Sequence, residues 1–511
     1  MSANSTRRGF LRSAAAMPLI ASAAAPSRFA LGADSRTLTI AYHTALPGLD
    51  PTRDAQTSNP AVQSIYKSIF DPYIDQNPDL SLRPGILTKW GWGAERRSIV
   101  LTMRRGAVWH DGTPVTPADL VWSLERAADP KTGNPMGFVW KKLGAARING
   151  DTVTVELKEP EPAMLKWLAF LTAYILPRKA FTQAGPERWD ERPVGSGPYR
   201  VEKFERNGYI RLKAFPQYWG PKPAFETVIF KFVPDPATRV AEVESGSSDL
   251  TLEMPFEEFD RLRAKPGLVG VTTPVSDVGL LLLSNKAPLL DRNVRLAVAH
   301  AIDKKTLIDK LLRGYGTPLD TLQAPQYEAY DASIKVGFDP DKAKALLARS
   351  GYSPANPVRM KIQTTRGYKA KDYEIVQAVA GMWRKVGIEA DIEVVEIARH
   401  FELQLRGELP PAAFYHWGNA IGDPSTSTGA SMVGPFATWR TPEVESRVLP
   451  LLAEMDEPKR IAGYKAVDRY LAEEGIALPL LQYVQPVVHR KGLEFTPHVA
   501  GTVLPQNVRP V

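Results

Sequence analysis

The chain reads as an α/β protein built from more than one structural unit, and three observations predict this. Strand-like alternation and capped helical stretches succeed one another along most of its 511 residues. At roughly 150 residues per domain, that length predicts about three units. There is no cysteine, so the cores must come from apolar packing without a disulfide framework.

The N-terminus stands apart from those units. Arg7-Arg8-Gly9-Phe10-Leu11 precedes the small-residue apolar run Ser13 to Ala25. A basic region before a short Ala-rich stretch predicts a signal peptide, because spanning a membrane takes about 20 apolar residues. The paired arginines followed by Phe-Leu look like a twin-arginine export signal, with residues 1–33 as the leader. Without cysteine there is no lipobox anchor, so the expected product is a soluble periplasmic protein. The net charge of +8 includes four arginines and no acids in those 33 residues, which leaves about +4 for the rest. The basic residues are dispersed and do not alternate with aromatics, which argues against nucleic-acid binding.

Thr37 to Tyr42 predicts a strand, His43 to Pro51 the loop after it, and residues 61–70 an amphipathic helix. Residues 98–103 and 151–157 both alternate, and they predict paired strands. Between them, His110-Asp111-Gly112-Thr113-Pro114 makes a sharp turn that needs no chemistry to explain it. Thr116-Pro117-Ala118-Asp119 then opens a helix with a Thr cap, Pro at the first position and an acid at N3. Residues 162–175 predict a buried helix carrying Trp167 and Phe170. Arg192 to Tyr199 predicts a turn leading into strands over 199–205, 209–214 and 227–233, then a helix over 236–245. Its Gly195-Ser196-Gly197 lacks the Lys-Ser/Thr of a phosphate loop and opens no helix. The apolar run 278–285 predicts a strand buried on both faces. Asp303 and Asp339 predict helix caps, with Gly314 and Gly351 as the stops. A long helix over 371–386 and strands over 388–395 and 476–488 complete the pattern.

Leu49-Asp50-Pro51, the His110-Asp111-Gly112 turn, Gly195-Ser196-Gly197-Pro198-Tyr199, Asn293-Val294-Arg295 with Ala301-Ile302-Asp303, and Phe338-Asp339-Pro340-Asp341-Lys342 form a recognisable set. Together they resemble the family 5 solute-binding proteins, which deliver peptides, nickel chelates, opines and related solutes to ABC importers. The resemblance implies a two-lobe periplasmic binding protein of type II topology, with the extra subdomain typical of the peptide-binding cluster. On that analogy lobe I takes residues 36–273 plus 482–511, with a subdomain over about 57–180, and lobe II takes 274–481. Two strands would cross between the lobes near 272–276 and 480–484, and the solute would be trapped as the lobes close. An inner-membrane ABC permease as partner, a monomer and no cofactor follow from the same resemblance.

Signatures of catalysis are missing. There is no G-x-S-x-G, H-E-x-x-H, P-loop or C-x-x-C. The seven histidines (43, 110, 300, 400, 416, 489 and 498) contain no i, i+4 pair that could hold a metal on one helix face. Binding is therefore the expected activity, and an enzyme is not. The competing readings are a nickel-chelate carrier of the same family using His416 or His43, a periplasmic hydrolase or transferase on this scaffold, and a chaperone-like binder of unfolded chains.

Candidate ligand-binding residues gather in Phe414-Tyr415-His416-Trp417-Gly418-Asn419-Ala420-Ile421-Gly422-Asp423-Pro424. In peptide-binding members this segment resembles W-x-x-D-x-x-D/E-P, whose first aspartate takes the peptide's α-ammonium group. Trp417 and Asp423-Pro424 match, but Ala420 stands at the aspartate position, so a free-amino peptide lacks its anchor. Asn419 offers an amide oxygen beside that position. Arg366, in Thr364-Thr365-Arg366-Gly367-Tyr368, matches the place where dipeptide-binding relatives carry an Arg and an aromatic near the peptide carboxylate. Its planar fork suits a carboxylate; the other reading is a solvated Arg at a helix start. Tyr42 and His43 fall where the family's first strand meets the cleft, and Trp439 follows the Gly/Ser-rich loop 425–434; either could line the cleft or serve packing alone. Trp417 is the leading candidate, since its indole can stack on many ligand types. The candidate set is Trp417, Arg366, Tyr368, Tyr42, His416, Asn419, Ala420 and Trp439, with no metal ligand. The solute implied is peptide-like, opine-like or another organic acid, carrying a carboxylate and lacking a conventional ammonium anchor.

Overall fold

In a computed structural model of the chain, residues 36–53, 59–419 and 421–511 are described. The expected leader over 1–33 and the candidate Ala420 lie outside the described residues. Strands appear in the order β1 (Thr37–Tyr42), β2 (Leu87–Trp92), β3 (Ser98–Met103), β4 (Leu143–Asn149), β5 (Thr152–Leu157), β6 (Tyr199–Glu205), β7 (Tyr209–Ala214), β8 (Thr227–Phe232), β9 (Leu250–Leu252) and β10 (Leu268–Leu283). β11 (Val358–Thr364), β12 (Ile388–Val394), β13 (Ala412–Gly418) and β14 (Leu478–Arg490) follow. Ten of these line up as β12-β11-β13-β10-β14-β9-β1-β8-β7-β6, while β2-β3-β5-β4 form a separate sheet.

The fold is mixed α/β with two lobes, and the reason for the lobes is visible in β10 and β14. These two strands pair antiparallel from Leu268↔Arg490 to Leu281↔Leu478, with the register shifted between Pro274 and Val278. One end of the pair, with Leu280 to Leu283 and Leu478 to Tyr483, sits in a core drawn from Phe256 to Tyr483. The other end contributes Val487 to a second core, built from β1, the helix Pro60–Ile69, β6 to β9 and the C-terminal residues Leu493 to Val508. A third core belongs to the separate sheet, which packs on the helix Pro117–Ala128 and buries Trp109, Trp140 and Trp167. In each lobe the central strands are parallel: β1 pairs parallel with β8 and β9, and β11 pairs parallel with β12 and β13.

The His110 turn is a structural clamp. Gly195 N–H donates to His110 Nδ1 at 3.1 Å, so that nitrogen carries no proton, and Nε2–H donates to the Gly197 carbonyl at 3.0 Å. His110 N–H closes a third bond to the Gly195 carbonyl at 2.8 Å. Burial pushes this imidazole down to about 4, so it stays neutral and in one tautomer. The glycines are dictated by the same contact. A Cβ on Gly195 would stand 1.9 Å from the Ile69 carbonyl oxygen, and one on Gly197 would stand 2.7 Å from the Ile69 carbonyl carbon.

Helix ends follow the sequence closely. Thr116 and Asp119 close a reciprocal capping box, Asp303 accepts from Thr306 N–H, and Asp339 accepts from Lys342 N–H. The expected helix over 162–175 is corrected: only Met164–Trp167 is helical. Beyond it the carbonyls of Leu168 and Ala173 accept from Ile74 and Tyr73 N–H, and Thr172 turns left-handed at φ 64°. Trp140 Nε1–H donates to the Thr172 hydroxyl and fixes that turn. The run is apolar all round, so periodicity could not distinguish helix from buried coil. The strand expected at 278–285 is also corrected, since it begins ten residues earlier, at Leu268.

Candidate functional site: a charged recess at the strand crossing

Loops that leave the carboxyl ends of parallel strands in both lobes converge near the β10–β14 crossing. His43 follows β1, Glu253 follows β9, residues 365–371 follow β11, and Asn419 and residues 421–424 follow β13. In open α/β sheets this end is where ligands bind, because loops can change there while the strands stay fixed. The register shift in β10 leaves Asp277 at the crossing, opposite Gly418. A Cβ on Gly418 would come within 3.0 Å of Asp277 Oδ1, so the glycine leaves room for this carboxylate.

Lys369 Nζ donates to Asp277 Oδ2 at 2.6 Å. The side chains are 30% and 24% exposed, crowded by protein yet open to solvent on one side. Burial alone would raise the Asp277 carboxyl, but the Lys369 ammonium outweighs it and holds the acid far below the usual carboxylate range. Burial likewise works against the Lys369 ammonium, and the Asp277 and Glu253 carboxylates outweigh it and raise its pKa. His416 lies 3.6 Å from Asp277, an ion-pair distance longer than a hydrogen bond; burial and then the Lys369 charge lower its pKa, so the imidazole is neutral. Across the recess, Glu253 Oε2 lies 3.0 Å from His43 Nε2, which also meets the Thr44 hydroxyl at 2.9 Å.

Loop 365–371 is tightly held. The Asp372 carboxylate, buried at the start of the helix Asp372–Arg384, accepts from Thr365 Oγ1, Gly367 N, Tyr368 N and Lys369 N. Gly367 at φ 81° and Lys371 at φ 59° permit the tight path. Tyr368 lies flat beside Tyr415, with centroids 6.4 Å apart and planes 9° from parallel, and tilts over His416 at 5.3 Å.

The candidates from sequence divide into three groups. Tyr368 and His416 come together in the recess. Trp417 is half-buried at the end of β13, and its indole N–H donates to the Thr426 carbonyl at 2.6 Å. Four others make their contacts elsewhere. Asn419 is buried, and its amide oxygen accepts from Asp423 N–H and Thr426 Oγ1, so it is not free to take an ammonium group. Arg366 is exposed and lies over the Tyr373 ring at 3.9 Å. Tyr42, 2% exposed, packs edge-on against Phe230 and Phe232. Trp439, 4% exposed, packs under the Arg295 guanidinium. Sequence reasoning missed Asp277, Lys369 and Glu253. The signal for Asp277 was an acid standing directly before an apolar strand at an expected crossing.

Contacts between the lobes flank the recess. Asp423 is fully buried and takes both Arg460 amino groups at 2.7 Å. Lys166, on the short helix Met164–Trp167, reaches to within 3.7 Å of Asp423, 3.9 Å of Glu457 and 4.0 Å of Glu328. Ile421 joins the third core, and Leu80 packs with Ala324 and Tyr327.

Comparison with known proteins agrees with this geometry. The model of the bacterial extracellular solute-binding proteins, family 5 (Middle), matches residues 81–434. The dipeptide-binding protein of Escherichia coli (strain K12) is 27% identical over 432 residues, covering 77% of this chain and 80% of that protein. The nickel-binding periplasmic protein of the same organism is 25% identical over 477 residues, covering 87% and 89%. Among solved structures, HbpA2 from Haemophilus parasuis superposes with a TM-score of 0.82 at 21% identity, over 93% of this chain and all of that one. A periplasmic binding protein, DppA from Helicobacter pylori, in complex with the peptide STSA, gives 0.75 at 21%, over 93% and 98%. At such identities the superpositions establish the two-lobe fold alone. The family match spans more than half of the chain, which therefore belongs to family 5 of the bacterial extracellular solute-binding proteins.

Proposed function

We propose that the chain is the solute-binding component of an ABC importer, exported to the periplasm by the twin-arginine route and acting there as a monomer. It captures a peptide-like or other carboxylate-bearing small solute between lobe I (36–273 plus 482–511) and lobe II (274–481) and hands it unaltered to an inner-membrane permease. The observation that carries this reading is the recess at the strand crossing, where Lys369, Asp277, Glu253, His416 and Tyr368 converge from both lobes. A neighbouring cation, a pair of acids and an aromatic wall suit a polar solute with an apolar body. Relatives named for binding dipeptides and nickel support a small polar cargo. Among the described residues no three His, Asp or Glu side chains come together to hold a metal. No described helix is long and apolar enough to cross a membrane.

Mass spectrometry of small molecules released by denaturing the purified protein tests the proposal. The expected result is an organic acid, recovered at unchanged mass after renewed incubation with fresh protein. Conversion of that molecule to a product would replace binding by catalysis.

A further inference from the structure

Resting on the solute-binding reading, we infer that Arg239 is a positioning residue for the recess: from beneath, its guanidinium holds Glu253 and His43 in place, and solute affinity depends on it without contact. Three observations carry this. The first is a buried cation held by backbone. Arg239 stands in the helix Pro236–Ser245 and is 4% exposed. Its Nη1–H groups donate to the Val233 and Pro234 carbonyls, both at 2.8 Å, and Nη2–H donates to the Glu253 carbonyl at 3.1 Å. Burial works against the charge, and the Glu253 and Asp235 carboxylates only partly offset it. The three carbonyls are what make such a cation tolerable in the interior.

The second is where those carbonyls lie. Val233 and Pro234 leave the end of β8, and Glu253 leaves the end of β9. Val233 N–H in turn donates to the carbonyl of Tyr42, the last residue of β1, at 2.7 Å. One guanidinium therefore ties together the carboxyl ends of three strands, including the two that carry His43 and Glu253 into the recess. A planar fork with five N–H donors can do this, whereas a compact ammonium on a flexible stem is a poor substitute.

The third is strain. Glu253 has φ 53°, the left-handed conformation that is uncommon for a residue with a Cβ. In that conformation its carbonyl meets Arg239 while its carboxylate lies 3.0 Å from His43 Nε2. Such a residue keeps its conformation only where the surroundings impose it. Without the bond from Arg239, the backbone relaxes and the carboxylate leaves His43. The lobe I wall is then no longer set before the solute arrives, and binding has to order it.

Crystal structures of Arg239→Lys and Arg239→Gln test the geometry. Equilibrium dialysis of both, of Glu253→Ala and of the Arg239→Lys/Glu253→Ala double variant tests affinity. The probe is the small-molecule fraction released by denaturing the purified parent, quantified by mass spectrometry. In both Arg239 variants Glu253 should leave the left-handed region and part from His43. Each should bind the retained molecule about threefold to tenfold more weakly, the cost of ordering one or two side chains on binding. The double variant should lose no more than Glu253→Ala alone, because both changes act through one group. Circular dichroism reports whether each variant is folded. An unmoved Glu253, losses that add in the double variant, or failure of both Arg239 variants to fold assigns Arg239 to the fold alone, overturns the inference and leaves solute binding standing. A parent that retains nothing from the fraction overturns the solute-binding reading and the affinity claim with it, while the crystal structures still decide whether Arg239 holds Glu253.

Discussion

At the scale of single residues, the buried charges carry the strongest predictions. Asp423 and Arg460 form a two-pronged pair that is almost wholly out of water. Removing one member strands the other charge in the interior, which costs about 3–5 kcal/mol. Arg460→Met should lower the free energy of urea unfolding by that much, whereas a surface pair such as Lys344–Asp341 should contribute under about 1 kcal/mol. Asp468 behaves in the opposite sense. Burial pushes its carboxyl up to about 7, although the Thr428 hydroxyl and Gln323 amide partly offset this. A carboxyl raised in the folded state contributes stability that is full below the ordinary carboxylate range and is lost as pH climbs through 4 to 7. Asp468→Asn should therefore gain on the parent between about pH 5 and pH 8, by on the order of 1 kcal/mol or more in chemical denaturation. Asp71, also pushed up to about 7 by burial, keeps its own share of the pH dependence in that variant.

At the scale of elements, what the sequence revealed depended on how local the cause was. Caps at Thr116, Asp303 and Asp339 involve residues within four positions, so their chemistry could be read directly. The pairing of β3 with β5 could also be read, because both alternate. The run 162–175 could not, since what breaks the helix is the distant backbone of Tyr73 and Ile74. The recess was hidden for the same reason: Lys369 and Asp277 are 92 positions apart. Asn419 illustrates the limit from the other side, as its residue type suits a ligand but its amide is consumed by Asp423 and Thr426. The turn at Gly195 was legible as a turn, while its need for glycine was not. With a Cβ 1.9 Å from the Ile69 carbonyl oxygen, Gly195→Ala must displace the helix Pro60–Ile69 or the His110 turn. It should cost about 3 kcal/mol or more in thermal or urea unfolding, at the upper end of single substitutions.

At the scale of the whole molecule, two lobes joined by β10 and β14 meet through the polar contacts of Lys166 and the apolar contacts of Ile421 and Leu80. Lys166 sits among Asp423, Glu457 and Glu328 at 3.7–4.0 Å, so it favours the closed arrangement without contributing to either core. Lys166→Met should weaken solute affinity about threefold to tenfold, mainly through faster release, while unfolding stability changes little. The comparison needs low salt, because exposed charges are screened within about 10 Å at 0.1 M. The central claim is that a solute held at the strand crossing closes the two lobes. Small-angle X-ray scattering on the protein stripped of small molecules, then reloaded to saturation with the released solute, tests it most directly. The loaded curve should fit the lobe arrangement described above, and the stripped protein should show a larger radius of gyration. Saturating binding by calorimetry with an unchanged scattering curve would contradict it.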